Sequence, residues 1–315
     1  MNFAAMMLVA MAFDLAFGWP KALFERIGHP VTWLGALIGV LEARLNRVGT
    51  NRRVRGVLTA LLVTGIAAGI GAAVQALLPE GWLGLVLGGA LAWPLVALRS
   101  MHDHVARVAK PLLSGDLTGA RQAVAMIVGR DPARLDEAGV ARAALESLAE
   151  NSSDGIVAPL FWGALFGLPG IAGYKAINTL DSMIGHRNAR YEAFGWASAR
   201  IDDGVNLLPA RLTGALFALA SGVRAKDAFG VMRRDASAHR SPNAGWPESA
   251  LAGALGIRLS GPRIYGDRIA QEPWLNGAAP DPGPRDLARG LALYARAMGL
   301  GAVLLGLVAW AIWRG

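Results

Sequence analysis

The sequence predicts an all-α polytopic membrane protein, with broken or re-entrant helices and cytoplasmic helical segments. Three observations carry that prediction. The 315 residues are 54% hydrophobic and only 17% charged, against about 25% charged in ordinary soluble domains. Uncharged runs at 56–79, 81–98 and 297–313 approach the ~20 apolar residues that span a bilayer. Polar residues are not spread between these runs but gathered into a few long motifs. The expected organisation is an amino-terminal membrane block with a basic cytoplasmic loop (1–98), a cytoplasmic and re-entrant catalytic region (99–290) and a carboxy-terminal membrane helix (291–315).

Residues 1–17 are apolar but lack the basic start and small-residue cleavage site of a secretory signal, and Asp14 sits inside the run. A retained, short spanning helix is expected. Residues 27–41, opened by Gly28-His29-Pro30, are too short to span and read as an interfacial or re-entrant helix. Five arginines and no acid between Arg44 and Arg55 place that loop on the cytoplasmic side. Two spans then form a hairpin around Pro79-Glu80-Gly81. Helical patterning recurs at 117–128 and 138–149, with Asp131-Pro132 as a helix-opening turn. The run 155–174 carries five glycines and two prolines, so a broken or re-entrant helix is expected, with 212–223 as its short partner. Ten Lys/Arg follow between Ser221 and Arg289, then the final span, ending at Trp313. No internal repeat is evident.

The net charge of +8 comes from 27 arginines against 4 lysines. In a membrane protein that excess reports orientation and anionic lipid before nucleic acid, and no Lys/Arg-rich tail argues for DNA or RNA. The absence of cysteine excludes disulfides, thiolate metal sites and a Cys nucleophile. No Walker phosphate loop, nucleophile elbow or zinc helix occurs.

Glu146 and Glu150, at i and i+4, share a helix face, and Asp154 follows beside Asn151; three converging carboxylates would suit Mg²⁺. The alternative is a solvated acidic helix end, although acids there oppose the helix dipole. Asp181 and the adjacent Asp202 and Asp203 extend the argument, because acids near membrane helices usually face a polar cavity. Neighbouring carboxylates repel unless a cation lies between them, and Arg200 alone could supply it. Lys175, Arg187, Arg190, Arg200 and Arg211 are candidate phosphate or carboxylate contacts, with topology signals as the plainer reading. His239 is the best acid/base candidate among the five histidines, though a loop histidine is more often a surface residue. Asn243, Trp246 and Glu248 put an amide, an aromatic edge and a carboxylate around one turn. Asp14 and His29 could reach the same cavity from the amino-terminal side.

These motifs resemble a known family. Glu150-Asn-Ser-Ser-Asp154-Gly-Ile-Val-Ala-Pro159, Tyr174-Lys175-Ala-Ile-Asn178-Thr-Leu-Asp181, Phe194-Gly-Trp-Ala-Ser-Ala-Arg200-Ile-Asp202-Asp203 with Asn206 and Arg211, and Ser241-Pro-Asn243-Ala-Gly-Trp246-Pro-Glu248 are similar, in order and over most of the chain, to the adenosylcobinamide-phosphate synthase family of cobalamin biosynthesis. The resemblance implies an enzyme of the inner (cytoplasmic) membrane, multi-pass, that joins the propionate of adenosylcobyric acid to (R)-1-amino-2-propanol O-2-phosphate, or plain aminopropanol, with ATP and Mg²⁺. An acyl phosphate is the natural route to that amide. On this reading Glu150, Asp154, Lys175, Asp181, His239 and Glu248 are expected to be catalytic. Asp14, His29, Asn151, Asn178, Arg187, Arg200, Asn206, Arg211, Asn243 and Trp246 are expected to bind substrate. Glu146, Glu150, Asp154, Asp202 and Asp203 are the expected metal ligands. The expected surroundings are the lipid bilayer, no nucleic acid, and a homo-oligomer or other membrane enzymes of cobalamin assembly. The rival classes are a transporter, which would usually show inverted repeats, and a corrinoid scaffold, which would need no clustered acids and bases.

Overall fold

The structure is a computed structural model that describes residues 1–47, 49, 51–128, 132–265 and 268–315, with backbone alone for 263–265 and 268–270. Its first helices are α1 (Phe3–Phe17), α2 (Lys21–Ile27), α3 (Pro30–Leu45), α4 (Arg52–Ala76) and α5 (Gly81–Ala92). The middle of the chain forms α6 (Leu98–Leu113), α7 (Leu117–Val124), α8 (Glu137–Ser152), α9 (Ala158–Phe166), α10 (Leu168–Ile184) and α11 (Trp196–Val205). Then come α12 (Leu207–Ala220), α13 (Ala225–Asp235), α14 (Gly245–Leu255) and α15 (Pro284–Arg314). Four short strands, β1 (Leu259–Ser260), β2 (Arg263–Tyr265), β3 (Arg268–Ala270) and β4 (Trp274–Leu275), precede α15 and pair antiparallel as β1 with β4 and β2 with β3. The chain is an all-α polytopic membrane protein in class.

Three helical stretches, Arg52–Ala76, Gly81–Leu113 and Pro284–Arg314, are long and apolar enough to cross a membrane. A fourth is reached only if α1 and the stretch Lys21–Leu45, bent by 109°, count as one span. This corrects the expectation of an independent span at the amino terminus: 15 helical residues reach only about 22 Å, short of a ~30 Å hydrocarbon core. The expected turn at Asp131-Pro132 falls partly outside the described residues.

The chain divides into two units. The first combines Met1–Leu98, Ala158–Asn206 and Leu304–Gly315; the second combines Arg99–Val157 and Leu207–Val303. Residues 99–290 contribute to both units. The core of the first unit joins Ile38 of α3, Ala60, Val63 and Ala67 of α4, Ala176, Leu180 and Ile184 of α10, and Phe194. Residue size sets how closely these pieces approach. At Gly56 an added Cβ would lie 1.8 Å from the carbonyl oxygen of Phe194, so only glycine lets the 189–196 segment close on the basic end of α4. The apolar run through Tyr174 is indeed broken, at Gly167. Its φ of +72° is a conformation that favours glycine. The next amide, Leu168 N–H, donates to Gln75 Oε1 at 2.8 Å and so caps α10 from α4.

In the second unit the Gly/Ala-rich α14 is buried and packs against α8, α12 and α13. Beside it, Asp281 accepts from Arg258 Nε at 3.0 Å and from Arg142, and both guanidinium groups lie over the Trp274 ring, at 4.3 and 4.7 Å. Arg258's paired hydrogen bonds hold the Asp281 carboxyl below its ordinary range. The helix expected at 212–223 starts earlier, at Leu207, because Arg211 does not interrupt it. Its guanidinium turns back to the Leu207 carbonyl at 2.7 Å and stacks on Trp246 at 4.3 Å.

Candidate active site

In the first unit the second half of α10 and the whole of α11 bring three carboxylates into mutual electrostatic reach: Asp181, Asp202 and Asp203. Sequence spacing explains part of it. Asn178 and Asp181 lie one turn apart on α10, and Arg200, Asp203 and Asn206 follow the same i, i+3 rhythm at the end of α11. Arg200 Nη1 pairs with Asp203 Oδ2 at 3.4 Å, and Arg187 also acts on Asp203. So the plain neutralising role weighed for Arg200 holds for Asp203. It does not extend to Asp202, which is buried (9% exposed) beside Asp181 with no cation acting on it among the described residues. Burial first, then the Asp181 charge, pushes the Asp202 carboxyl up to about 7. Asp181 is raised by burial and by Asp203, against the opposing pull of His186.

The floor of this cluster is under-satisfied. Among the described residues Asp202 Oδ1 and Ser198 Oγ are buried without a hydrogen-bond partner; the Asn206 and Asn178 side chains hydrogen-bond the Asp202 carboxyl, and Asn206 Oδ1 accepts from Tyr174 Oη at 2.9 Å. Native proteins rarely leave such atoms orphaned, and those that do usually await a ligand, ion or water. Tyr174, His186 and Ser198 are the residues that sequence reasoning did not single out. Tyr174 and Ser198 lie inside the quoted motifs, and that was their only signal. Lys175 lies near enough to His29 to act on it electrostatically. His29 itself caps α3, its Nδ1 accepting from Val31 N–H at 3.2 Å, and its ring meets Trp19 edge-on at 4.9 Å. Asp14 is buried near the end of α1.

In the second unit, His239 Nδ1 lies 3.0 Å from Ser241 N and 3.4 Å from the Ser241 carbonyl oxygen, and its Nε2 lies 3.8 Å from Glu248 Oε2. Both side chains are nearly buried (7% and 2% exposed). Asn243 is buried in the same turn, and Trp246 is half-buried beneath Arg211.

The expected convergence of Glu146, Glu150 and Asp154 is not formed. Glu146 is buried and its Oε1 accepts from Ser260 N–H at 2.8 Å, which anchors β1 to α8, whereas Glu150 is exposed. Asp154 lies in a π-helical turn, Ser153–Val157, where i→i+5 bonding ends the α spacing from which a common face was inferred. Asn151 is tied to its own helix, donating to the Ser147 carbonyl at 2.9 Å. Among the described residues no three His, Asp or Glu side chains stand as a ready metal cage.

Comparison with known proteins assigns the chain. A family model described as CobD/Cbib protein matches residues 7–294. The chain belongs to the CobD/Cbib family. A relative from Rhodobacter capsulatus named Cobalamin biosynthesis protein CobD is 73% identical over 309 residues, 98% of each chain. Relatives with the same name from a Sinorhizobium species and from Geobacter metallireducens are 50% and 48% identical, covering 85% of this chain and 86% and 85% of their own. No solved structure matches. Membership of the CobD/Cbib family places the protein in cobalamin biosynthesis. The match covers both the acid cluster on α10 and α11 and the His239–Glu248 turn, so each belongs to the family's own extent of chain.

Proposed function

We propose that this CobD/Cbib protein is an acid–amine ligase of the inner (cytoplasmic) membrane. It joins the propionate of adenosylcobyric acid to aminopropanol O-phosphate, or to aminopropanol, at the expense of ATP. The observation that carries the reading is the Asp181–Asp202 pair: two carboxylates within electrostatic reach of each other, one of them with an oxygen that is buried and unpartnered among the described residues. Mg²⁺ commonly takes one or two protein carboxylates and completes its shell with phosphate oxygens and water. The donor set therefore fits a phosphate-borne Mg²⁺ and does not fit an ion held by protein alone. When bound, ATP and Mg²⁺ would make the propionate oxygen a leaving group and neutralise charge on the transferred phosphoryl.

The chain's own residues supply the rest. Asp202, with Asp181 beside it, would hold the metal. The exposed guanidinium groups of Arg187 and Arg200 are suited to phosphate oxygens, because each presents a planar fork of donors.

The test is turnover. Purified protein in detergent should consume adenosylcobyric acid only with ATP and Mg²⁺ present. Asp202→Asn should lower kcat/KM by at least ~100-fold, roughly 2.7 kcal/mol of transition-state stabilisation. Absence of ATP-dependent consumption by the wild type would reject the ligase, and near-normal rates in Asp202→Asn would reject the site.

A further inference from the structure

A polar groove lies in the first unit, built from residues that the ligase chemistry does not use. Arg52 and Arg53 at the start of α4, together with Ala189, Glu192, Ala193 and Trp196, line an open groove of about 290 Å³. That is near the lower end of the ~300–1,000 Å³ of small-molecule sites, and suits a ligand of head-group size. The two arginines are not equivalent. Arg52 is committed, its Nη2 donating to Asn46 Oδ1 at 2.8 Å and to the Arg190 carbonyl. Arg53 lies over the Trp196 ring, its Cζ 3.7 Å from the centroid, and among the described residues its N–H groups have no hydrogen-bond partner. Stacking fixes a guanidinium plane while leaving its donor edge outward, the arrangement by which arginine grips phosphate. Glu192 is exposed and, among the described residues, makes no ion pair.

The groove thus presents two guanidinium charges, Arg52 hydrogen-bonded to neutral oxygens and Arg53 stacked on an indole, together with the carboxylate of Glu192. Its depth is set by α4, whose uncharged run begins at Gly56, one turn beyond Arg52 and Arg53. Head groups and interfacial tryptophans occupy that level of a bilayer. We infer that this groove binds the head group of a phosphatidylethanolamine-type lipid, with its phosphate on Arg53 and its primary ammonium on Glu192. A purely anionic head group would meet Glu192 as a repelling charge. A choline head group carries a cation but no N–H to donate to the carboxylate. The inference is independent of the ligase reading.

The experiment is lipid retention. Wild-type protein in nanodiscs containing equal parts of phosphatidylethanolamine, phosphatidylglycerol and phosphatidylcholine is partly delipidated, and the lipids still bound are counted by native mass spectrometry. The ethanolamine lipid should be enriched about threefold over each of the others, the factor expected of one solvent-exposed charge pair. Glu192→Gln should equalise ethanolamine and choline lipids while keeping the phosphate contact. Arg53→Gln should lower retention of all three. Both side chains are exposed, so both variants should keep the wild-type thermal midpoint. Preferential retention of phosphatidylglycerol would overturn the inference in favour of a plain basic patch, and unchanged enrichment in both variants would place the lipid elsewhere. Soluble phosphoethanolamine competing as well as the lipid would overturn the lipid assignment.

Discussion

Asp202 combines two features that rarely coexist: a buried carboxylate, and a nearest charged neighbour of the same sign. Its displacement to about 7 means that the folded protein holds a proton that the unfolded chain, with the ordinary value of 3.8, has already released. The resulting stability is fully present below about pH 4 and is lost as pH rises through 7, with an upper bound of about 4 kcal/mol. The thermal midpoint of the purified protein should therefore fall between pH 5 and pH 8. Asp202→Asn should flatten that slope and unfold at a higher temperature than wild type at pH 8. Parallel profiles for the two proteins would show that Asp202 is ionised throughout. The sequence made the aspartate pair visible but not the division of labour within it. Adjacent residues on a helix point about 100° apart, and only the packing of α10 against α11 decides that Asp203 meets Arg200 while Asp202 turns inward. Glu146 shows the converse: its spacing from Glu150 was legible, yet the Ser260 amide that claims it lies 114 positions away.

Among the elements, the break between α9 and α10 carries the acid cluster, because it sets where α10 begins and hence where Asn178 and Asp181 fall. An alanine at Gly167 would be strained at φ +72°, and its Cβ would come 2.0 Å from Gln75 Oε1, the atom that caps α10. Gly167→Ala should cost about 1–3 kcal/mol and lower the thermal midpoint in detergent; an unchanged midpoint would mean that α10 starts elsewhere. The broken helix was legible because two prolines and five glycines in 20 residues leave little choice. The strands between Leu259 and Leu275 were not, since pieces of two or three residues are too short to show a period-2 pattern. What fixes β1 is tertiary contact: the pairing with β4 and the Glu146 carboxylate.

At the scale of the whole molecule, sequence distinguished membrane runs from polar motifs but could not show which runs share a unit, since hydropathy is local and packing is not. The polar segment 175–206 is where side of the membrane can be tested most directly. The chain contains no cysteine, and Ala189 is exposed. In Ala189→Cys the single thiol should react with an impermeant maleimide in inverted vesicles, which expose the cytoplasmic face, and stay unreacted in right-side-out ones. The reverse pattern would put the segment outside, away from ATP.

The patchwork make-up of the first unit also bears on how the protein is made. Its opening 98 residues leave the ribosome early, but the unit also contains Leu304–Gly315, where the Ala309 carbonyl accepts from Asn2 Nδ2 at 2.7 Å. At ~5–20 residues per second, the roughly 200 residues from Leu98 to Leu304 take about 10–40 s to synthesise. For that interval the earliest helices stand in the bilayer without their last partner. The Asn2–Ala309 contact can close only once Ala309 has been made, so a nascent chain stalled before Leu304 would present an unfinished surface to the quality-control proteases of the membrane.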